Sequence, residues 1–181
     1  MIYVFLADGF EETEAIAPID MLRRAEKDVV TVGITNDGVR SSHGVPVLCD
    51  ITDMQVELDD RLEMIVLPGG MPGTLNLEKS GVVNAVIDYC VKHDILIGAI
   101  CAAPSILGKK GLLNGKNATC FPGFEKYLEG AVLSKEKVVR DGNIITAAGA
   151  GVAVEFGLAL VDALCGSAES EHIRKAIQCA N

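Results

Sequence analysis

Cys101 closes the uncharged run Ile95-Leu96-Ile97-Gly98-Ala99-Ile100 and is followed at once by Ala102-Ala103-Pro104. Proline has no N–H to lose in a first helical turn, so the chain is expected to change from strand to helix within about three residues of the sulfur. A cysteine on such a turn stands at the carboxyl end of its strand, with the free N–H groups of a helix start directed towards it. Partial positive charge there lowers a thiol pKa, and the thiolate is the reactive species. Two readings of Cys101 compete at this point: a nucleophile, and a packed core cysteine of the kind common in buried sheets.

Two further stretches could complete a site. Ala7-Asp8-Gly9-Phe10-Glu11-Glu12-Thr13-Glu14 brings carboxylates to the start of an expected helix, where the helix dipole alone explains acidic residues. Stepping by three or four from Glu14 reaches Pro18, Met21, Leu22 and Ala25, and from Glu11 it reaches Ala15, Pro18 or Ile19, and Leu22. Both faces are apolar, so periodicity leaves open which glutamate points inwards. Pro18 is expected to bend this helix, marking a packing need or a site wall. In Leu67-Pro68-Gly69-Gly70-Met71-Pro72-Gly73 the backbone can approach a bound group with no Cβ in the way. Gly70 reads either as an N–H donor or as a tight turn needing positive φ.

The elements that must position these groups alternate. Strand-like runs at 2–6, 29–34, 64–67 and 95–100 are separated by helical periodicity at 15–25 and 81–93. Residues 41–48, with Gly44 and Pro46, read as a short hairpin in which His43 is a surface residue. A hairpin over 138–146 runs into Gly149-Ala150-Gly151, followed by an apolar helix from Val152 and a terminal helix over 168–178. Gly149-x-Gly151 lacks the third glycine and the acidic ribose ligand of a dinucleotide fingerprint, so close backbone packing is the expectation there. The pattern predicts an α/β sandwich of flavodoxin-like type, with a mostly parallel sheet, helices on both faces and a site at the strand carboxyl ends. The 181 residues suit a single domain, 1–181.

Composition excludes several partners. Acidic residues outnumber basic ones 25 to 16 for a net charge of -9, which disfavours nucleic acid, since phosphate binding depends on Lys and Arg clusters. The longest apolar stretches are too short or interrupted to span a bilayer, so no membrane partner is expected. Chain start at a strand-like segment without a basic region makes the cytoplasm the expected location. The six cysteines form no C-x-x-C pair and do not cluster with the three histidines, so neither a metal site nor disulfides are expected.

Together, Leu67-Pro68-Gly69-Gly70, Ala99-Ile100-Cys101-Ala102-Ala103-Pro104, the Asp8 to Glu14 stretch and Gly149-Ala150-Gly151 resemble the ThiJ/PfpI superfamily. Within it the chain is similar to the branch of the Parkinson's-disease-associated deglycase and its bacterial YajL-like relatives. The resemblance covers nearly the whole length. It implies that Cys101 is the nucleophile, that Glu14 is the carboxylate hydrogen-bonded to it, and that Gly70 and Ala102 supply oxyanion-binding N–H groups. It further implies a homodimer with the first helix near the interface, and no cofactor. The activity implied is that of a glyoxalase or deglycase acting on small 2-oxoaldehydes such as methylglyoxal or on glycated protein, in oxidative and carbonyl stress protection. The alternative is a redox sensor whose Cys101 oxidises to sulfinic acid without turnover.

Two departures from that pattern matter. Some members carry a histidine twenty positions after the cysteine, where this chain has Phe121, and protease-like members carry one directly after it, where this chain has Ala102. A Cys-His peptidase is therefore not expected, and slow turnover is. A partly buried Glu14 would stay protonated and hydrogen-bond the sulfur, leaving Cys101 a thiolate at neutral pH.

Overall fold

Alternation within each strand sets up the layers. The computed structural model describes residues 1–179. In β1 (Ile2–Leu6), Ile2, Val4 and Leu6 enter one core while Tyr3 and Phe5 enter the other, because successive side chains leave a strand on opposite faces. The later strand β6 (Met64–Leu67) divides in the same way, Met64 and Val66 against Ile65 and Leu67. A strand that is apolar on both faces needs helices on both sides, which is the parallel arrangement.

In chain order the elements are β1, α1 (Glu12–Arg24), β2 (Val29–Gly33), β3 (Gly38–Arg40), β4 (Pro46–Leu48), β5 (Ile51–Thr52), β6 (Met64–Leu67), α2 (Gly73–Lys79), α3 (Gly81–Lys92) and β7 (Leu96–Ile100). They continue through α4 (Pro104–Lys109), β8 (Asn117–Ala118), β9 (Val132–Leu133), β10 (Val138–Asp141), β11 (Ile144–Ala147), α5 (Ala153–Cys165) and α6 (Ser167–Ala176). The main sheet has seven strands in the order β10-β11-β7-β6-β1-β2-β5. All its pairings are parallel except β10 with β11, so the expected flavodoxin-like α/β sandwich is present. One core packs α1 and α5 against the sheet, and the other packs α3 and α4.

From β1 the chain turns one way to β2 and later crosses back to β6 on the other side. Strand ends part at such a switch point and leave a crevice at their carboxyl side. Pro18 lies inside α1 without ending it, and its Cα lies 3.1 Å from where a Cβ on Gly157 of α5 would sit. Helix α1 and helix α5 therefore meet backbone to backbone there, and Pro18 answers a packing need. The hairpin expected over 41–48 is β3 paired with β4. Helix α2 was not expected, since Pro72 and Gly73 at its start conceal it. Among the described residues no helix is long and apolar enough to cross a membrane.

Candidate active site

Four strand ends converge at the crevice: the segment after β1, Gly69-Gly70 after β6, Cys101 after β7, and Gly149-Ala150 after β11. Cys101 sits between β7 and α4 with φ of +65°, the left-handed region that an L side chain enters at a cost of about 1 to 2 kcal/mol. Its backbone is held there by two bonds. The Cys101 N–H donates to the Ala147 carbonyl at 2.8 Å, and the Phe121 N–H donates to the Cys101 carbonyl at 2.8 Å.

Glu14 lies in the first turns of α1 and is 1% exposed. Its carboxylate hydrogen-bonds the Cys101 thiol and receives the Gly69 N–H at Oε2, at 3.0 Å. The Ala150 N–H is a further donor to it. Glu11 does a different job: it is the N-cap of α1, its Oε2 accepting the N–H of Glu14 itself at 2.7 Å. The choice that periodicity left open is thus resolved by capping, with Glu11 closing the helix end and Glu14 entering the site.

Gly69 and Gly70 have separate roles. A Cβ on Gly69 would come within 2.6 Å of both Cys101 Cβ and Glu14 Oε2, so only glycine lets β6 pass this close to the pair. Gly70 has φ of +88° and its N–H faces the Cys101 sulfur, as does that of Ala102. Gly70 thus takes the positive φ of a tight turn while its N–H is directed at the sulfur. Ala102 precedes α4, which begins two residues further on at Pro104.

Burial pushes the Glu14 carboxyl up to about 7, with the nearby Glu11 charge adding to it, while bonds from Cys101, Gly69 and Ala150 oppose the rise. Burial likewise pushes the Cys101 thiol up to about 12, reinforced by the Glu14 charge and hydrogen bond, against the pull of the Gly70 and Ala102 N–H groups. The two steps belong to the pair. Around neutral pH the pair keeps one proton between sulfur and carboxylate, and the buried carboxylate's charge works against a free thiolate. The larger cause is burial, reinforced by the Glu14 charge.

Sequence reasoning missed the Gly69 and Ala150 donors, because backbone groups carry no side-chain signature. Its one available signal was that Gly149-Ala150-Gly151 follows a strand, as Gly69-Gly70 does. Phe121 lies at the site too. Its Cδ2 is 3.3 Å from where a Cβ on Gly149 would stand, and Glu14 Oε1 is 3.8 Å from the same point. Among the described residues one trio has donor atoms close enough for a metal, Glu11, Glu12 and His43. Exposed His43 pairs with Glu12 at 3.0 Å, Glu11 caps α1, and a helix N-terminus disfavours cations.

Known proteins share sequence and fold with this chain. Residues 1–163 match the DJ-1/PfpI family. The chain is 36% identical to protein dj-1beta of Drosophila melanogaster, covering 98% of this chain and 96% of that one. It is 31% identical to the glutathione-independent glyoxalase DJR-1.2 of Caenorhabditis elegans, over 91% of this chain and 88% of that one. The fold superposes on Toxoplasma gondii DJ-1, oxidized, with a TM-score of 0.91 at 31% identity, over 99% of this chain and 98% of that one. Two longer Arabidopsis thaliana relatives, DJ-1 homologs B and A, are spanned over 40% and 44% of their length. Matching in sequence and in fold over nearly its whole length, the chain belongs to the DJ-1/PfpI family.

Proposed function

We propose that this chain is a cysteine-dependent, cofactor-independent glyoxalase or deglycase acting on methylglyoxal-type 2-oxoaldehydes or their protein adducts. The observation that carries the reading is the hydrogen-bonded Cys101–Glu14 pair, whose carboxyl is pushed up to about 7 by burial. A base of that strength exchanges protons most effectively at neutral pH. The glyoxalase name of DJR-1.2 supports it.

Cys101 Sγ adds to the aldehyde carbon, its proton passing to Glu14, and the carbonyl oxygen takes up the negative charge. The Gly70 and Ala102 N–H groups stand beside that oxygen as donors. The oxygen is protonated from Glu14, giving a hemithioacetal. Glu14 then removes the proton from the former aldehyde carbon and returns it to the neighbouring keto carbon, while the hydroxyl proton moves to the keto oxygen, which leaves a thioester of a 2-hydroxy acid. Water cleaves the thioester, releasing the acid and restoring the thiol, so the net reaction is methylglyoxal plus water to lactate. On a protein adduct Sγ forms its bond to the adduct carbon as the bond from that carbon to the modified side chain breaks, and the thiol proton passes through Glu14 to the departing side chain. The test is lactate formation by the native protein, Cys101→Ala and Glu14→Gln; equal rates in all three end the idea.

A second reading is oxidation without turnover. The oxidized form of the Toxoplasma neighbour favours it. Peroxide oxidises the sulfur to sulfenic and then sulfinic acid, each step releasing water, and a protonated Glu14 donates to a sulfinate oxygen. Mass spectrometry after mild peroxide should find two added oxygens on Cys101 before any other cysteine; indiscriminate oxidation contradicts this reading.

We place the protein in the reducing cytoplasm as one domain, working as a homodimer. Support for the dimer comes from Ile16 on α1, 46% exposed, and from Val45 and Leu48 on the adjoining hairpin, 46% and 77% exposed. Sedimentation should find a dimer that Leu48→Asp weakens, and a monomeric native protein at micromolar concentration rejects it.

A further inference from the structure

Phe121 is a half-exposed ring beside the reacting pair. Its ring edge packs against Gly149 on the side where Glu14 Oε1 also approaches, and 47% of the residue remains open to solvent. The loop that carries it is tied down at three points. The Thr119 N–H donates to Thr146 Oγ1 at 3.0 Å, the Phe121 N–H to the Cys101 carbonyl at 2.8 Å, and the Phe124 N–H to the Phe121 carbonyl at 3.0 Å. The backbone that carries the ring is therefore anchored, in part by the backbone of the nucleophile itself, and the ring stands as a wall beside the pair. Met71, which follows the donor Gly70 in the chain, is a second half-exposed apolar side chain, at 46%.

We propose that Phe121 is a specificity-determining residue, selecting neutral electrophiles that carry a hydrocarbon group beside the reacting carbon over those that carry only hydrogen there. This rests on the reading of Cys101 as the nucleophile. A methyl or phenyl group on the keto carbon of a 2-oxoaldehyde covers the open face of the ring and displaces water from it. Glyoxal, with hydrogen in that place, gains nothing from the wall. A carboxylate substituent is excluded, because the Cys101–Glu14 pair, with Glu11 close by, already concentrates negative charge at the site.

The experiment measures Cys101 modification by iodoacetamide and by N-phenyl iodoacetamide, followed by mass spectrometry, beside turnover of glyoxal and phenylglyoxal. In the alkylation a bond forms from Sγ to carbon, iodide leaves and the thiol proton passes to Glu14. The native protein should favour the phenyl reagent, and Phe121→Ala should lower that preference about tenfold. Phe121→Leu, which keeps apolar bulk without the flat face, should lower it about threefold and serves if Phe121→Ala does not fold. The ratio of kcat/KM for phenylglyoxal over glyoxal should move in parallel. A preference unchanged by both substitutions overturns the wall, whatever the turnover. A preference that falls as expected in a protein making no 2-hydroxy acid supports the wall and overturns the glyoxalase reading alone.

Discussion

Glu14 reaches across from the first turns of α1 to hydrogen-bond Cys101 at the end of β7, while the N–H of Gly69 at the end of β6 holds its Oε2 at 3.0 Å. Three elements distant in sequence thus meet on one carboxyl group. The pairing has consequences for stability, reactivity and backbone strain that can be measured separately.

Stability should depend on pH through Glu14. Its carboxyl is raised from 4.5 to about 7 by burial, so between those values the folded chain keeps a proton that the unfolded chain releases. Stability from this group is complete below pH 4.5 and is lost as pH rises through about 7, a decline of about 3 kcal/mol. Carboxylates elsewhere, such as Asp50, are lowered by their partners and act in the opposite sense. The difference between native protein and Glu14→Gln isolates the term. Urea unfolding of both should show the native protein losing about 3 kcal/mol relative to the variant from pH 4.5 to pH 7.5. A difference independent of pH would mean that Glu14 is not held protonated.

Thiol reactivity should follow the same proton. Loss of the first proton of the pair, near pH 7, creates the state in which one proton is shared and the sulfur can react. Alkylation of Cys101 should therefore rise through about pH 7 and level off, instead of rising through the pKa of an ordinary thiol. In Glu14→Gln the rise near 7 should disappear, leaving a single inflection set by the sulfur's own titration. A native profile with a single inflection near 9 contradicts a shared proton.

Much of this site was legible in the sequence, for identifiable reasons. The uncharged run before Cys101 and Pro104 after it mark a buried strand meeting a helix, and that junction is where the sulfur stands. Glu11 and Glu14 could not be separated by pattern, because three residues along a helix leave them about 60° apart on one stripe. Their roles divide through capping, and glutamate is not among the preferred N-cap residues that would have announced the helix start. Where the proton of the pair sits depends on how completely four strand ends exclude water, which no local pattern encodes. Phe121 was noticed only as a missing histidine, since its closeness to Glu14 runs through Gly149 on a different strand end.

Glycine positions at the site should differ sharply in tolerance. Gly69→Ala would drive a Cβ to within 2.6 Å of Cys101 Cβ and Glu14 Oε2, separating the pair; the expected loss is about 2 to 4 kcal/mol of stability together with the alkylation step near pH 7. Gly151→Ala meets nothing within 4 Å and should stay within about 0.5 kcal/mol of the native protein. Thermal unfolding of both variants, with alkylation rates, checks the contrast. Equal effects would mean that close approach at Gly69 does not position the pair.

Backbone strain at Cys101 gives a test whose sign runs against the usual rule. In ordinary positions alanine is more stabilising than glycine, because glycine has more freedom to lose on folding. Cys101 has φ of +65°, where a Cβ is penalised and glycine is not. Cys101→Gly and Cys101→Ala both remove the sulfur and its hydrogen bond, so their difference isolates the backbone. Cys101→Gly should be the more stable of the two by about 1 kcal/mol in urea unfolding. The strain is sustained by the Ala147 and Phe121 backbone bonds on either side of the residue, and it aims the sulfur at Glu14. If Cys101→Ala proves the more stable variant, the turn is not strained, and the sulfur's direction has to be explained by side-chain contacts instead.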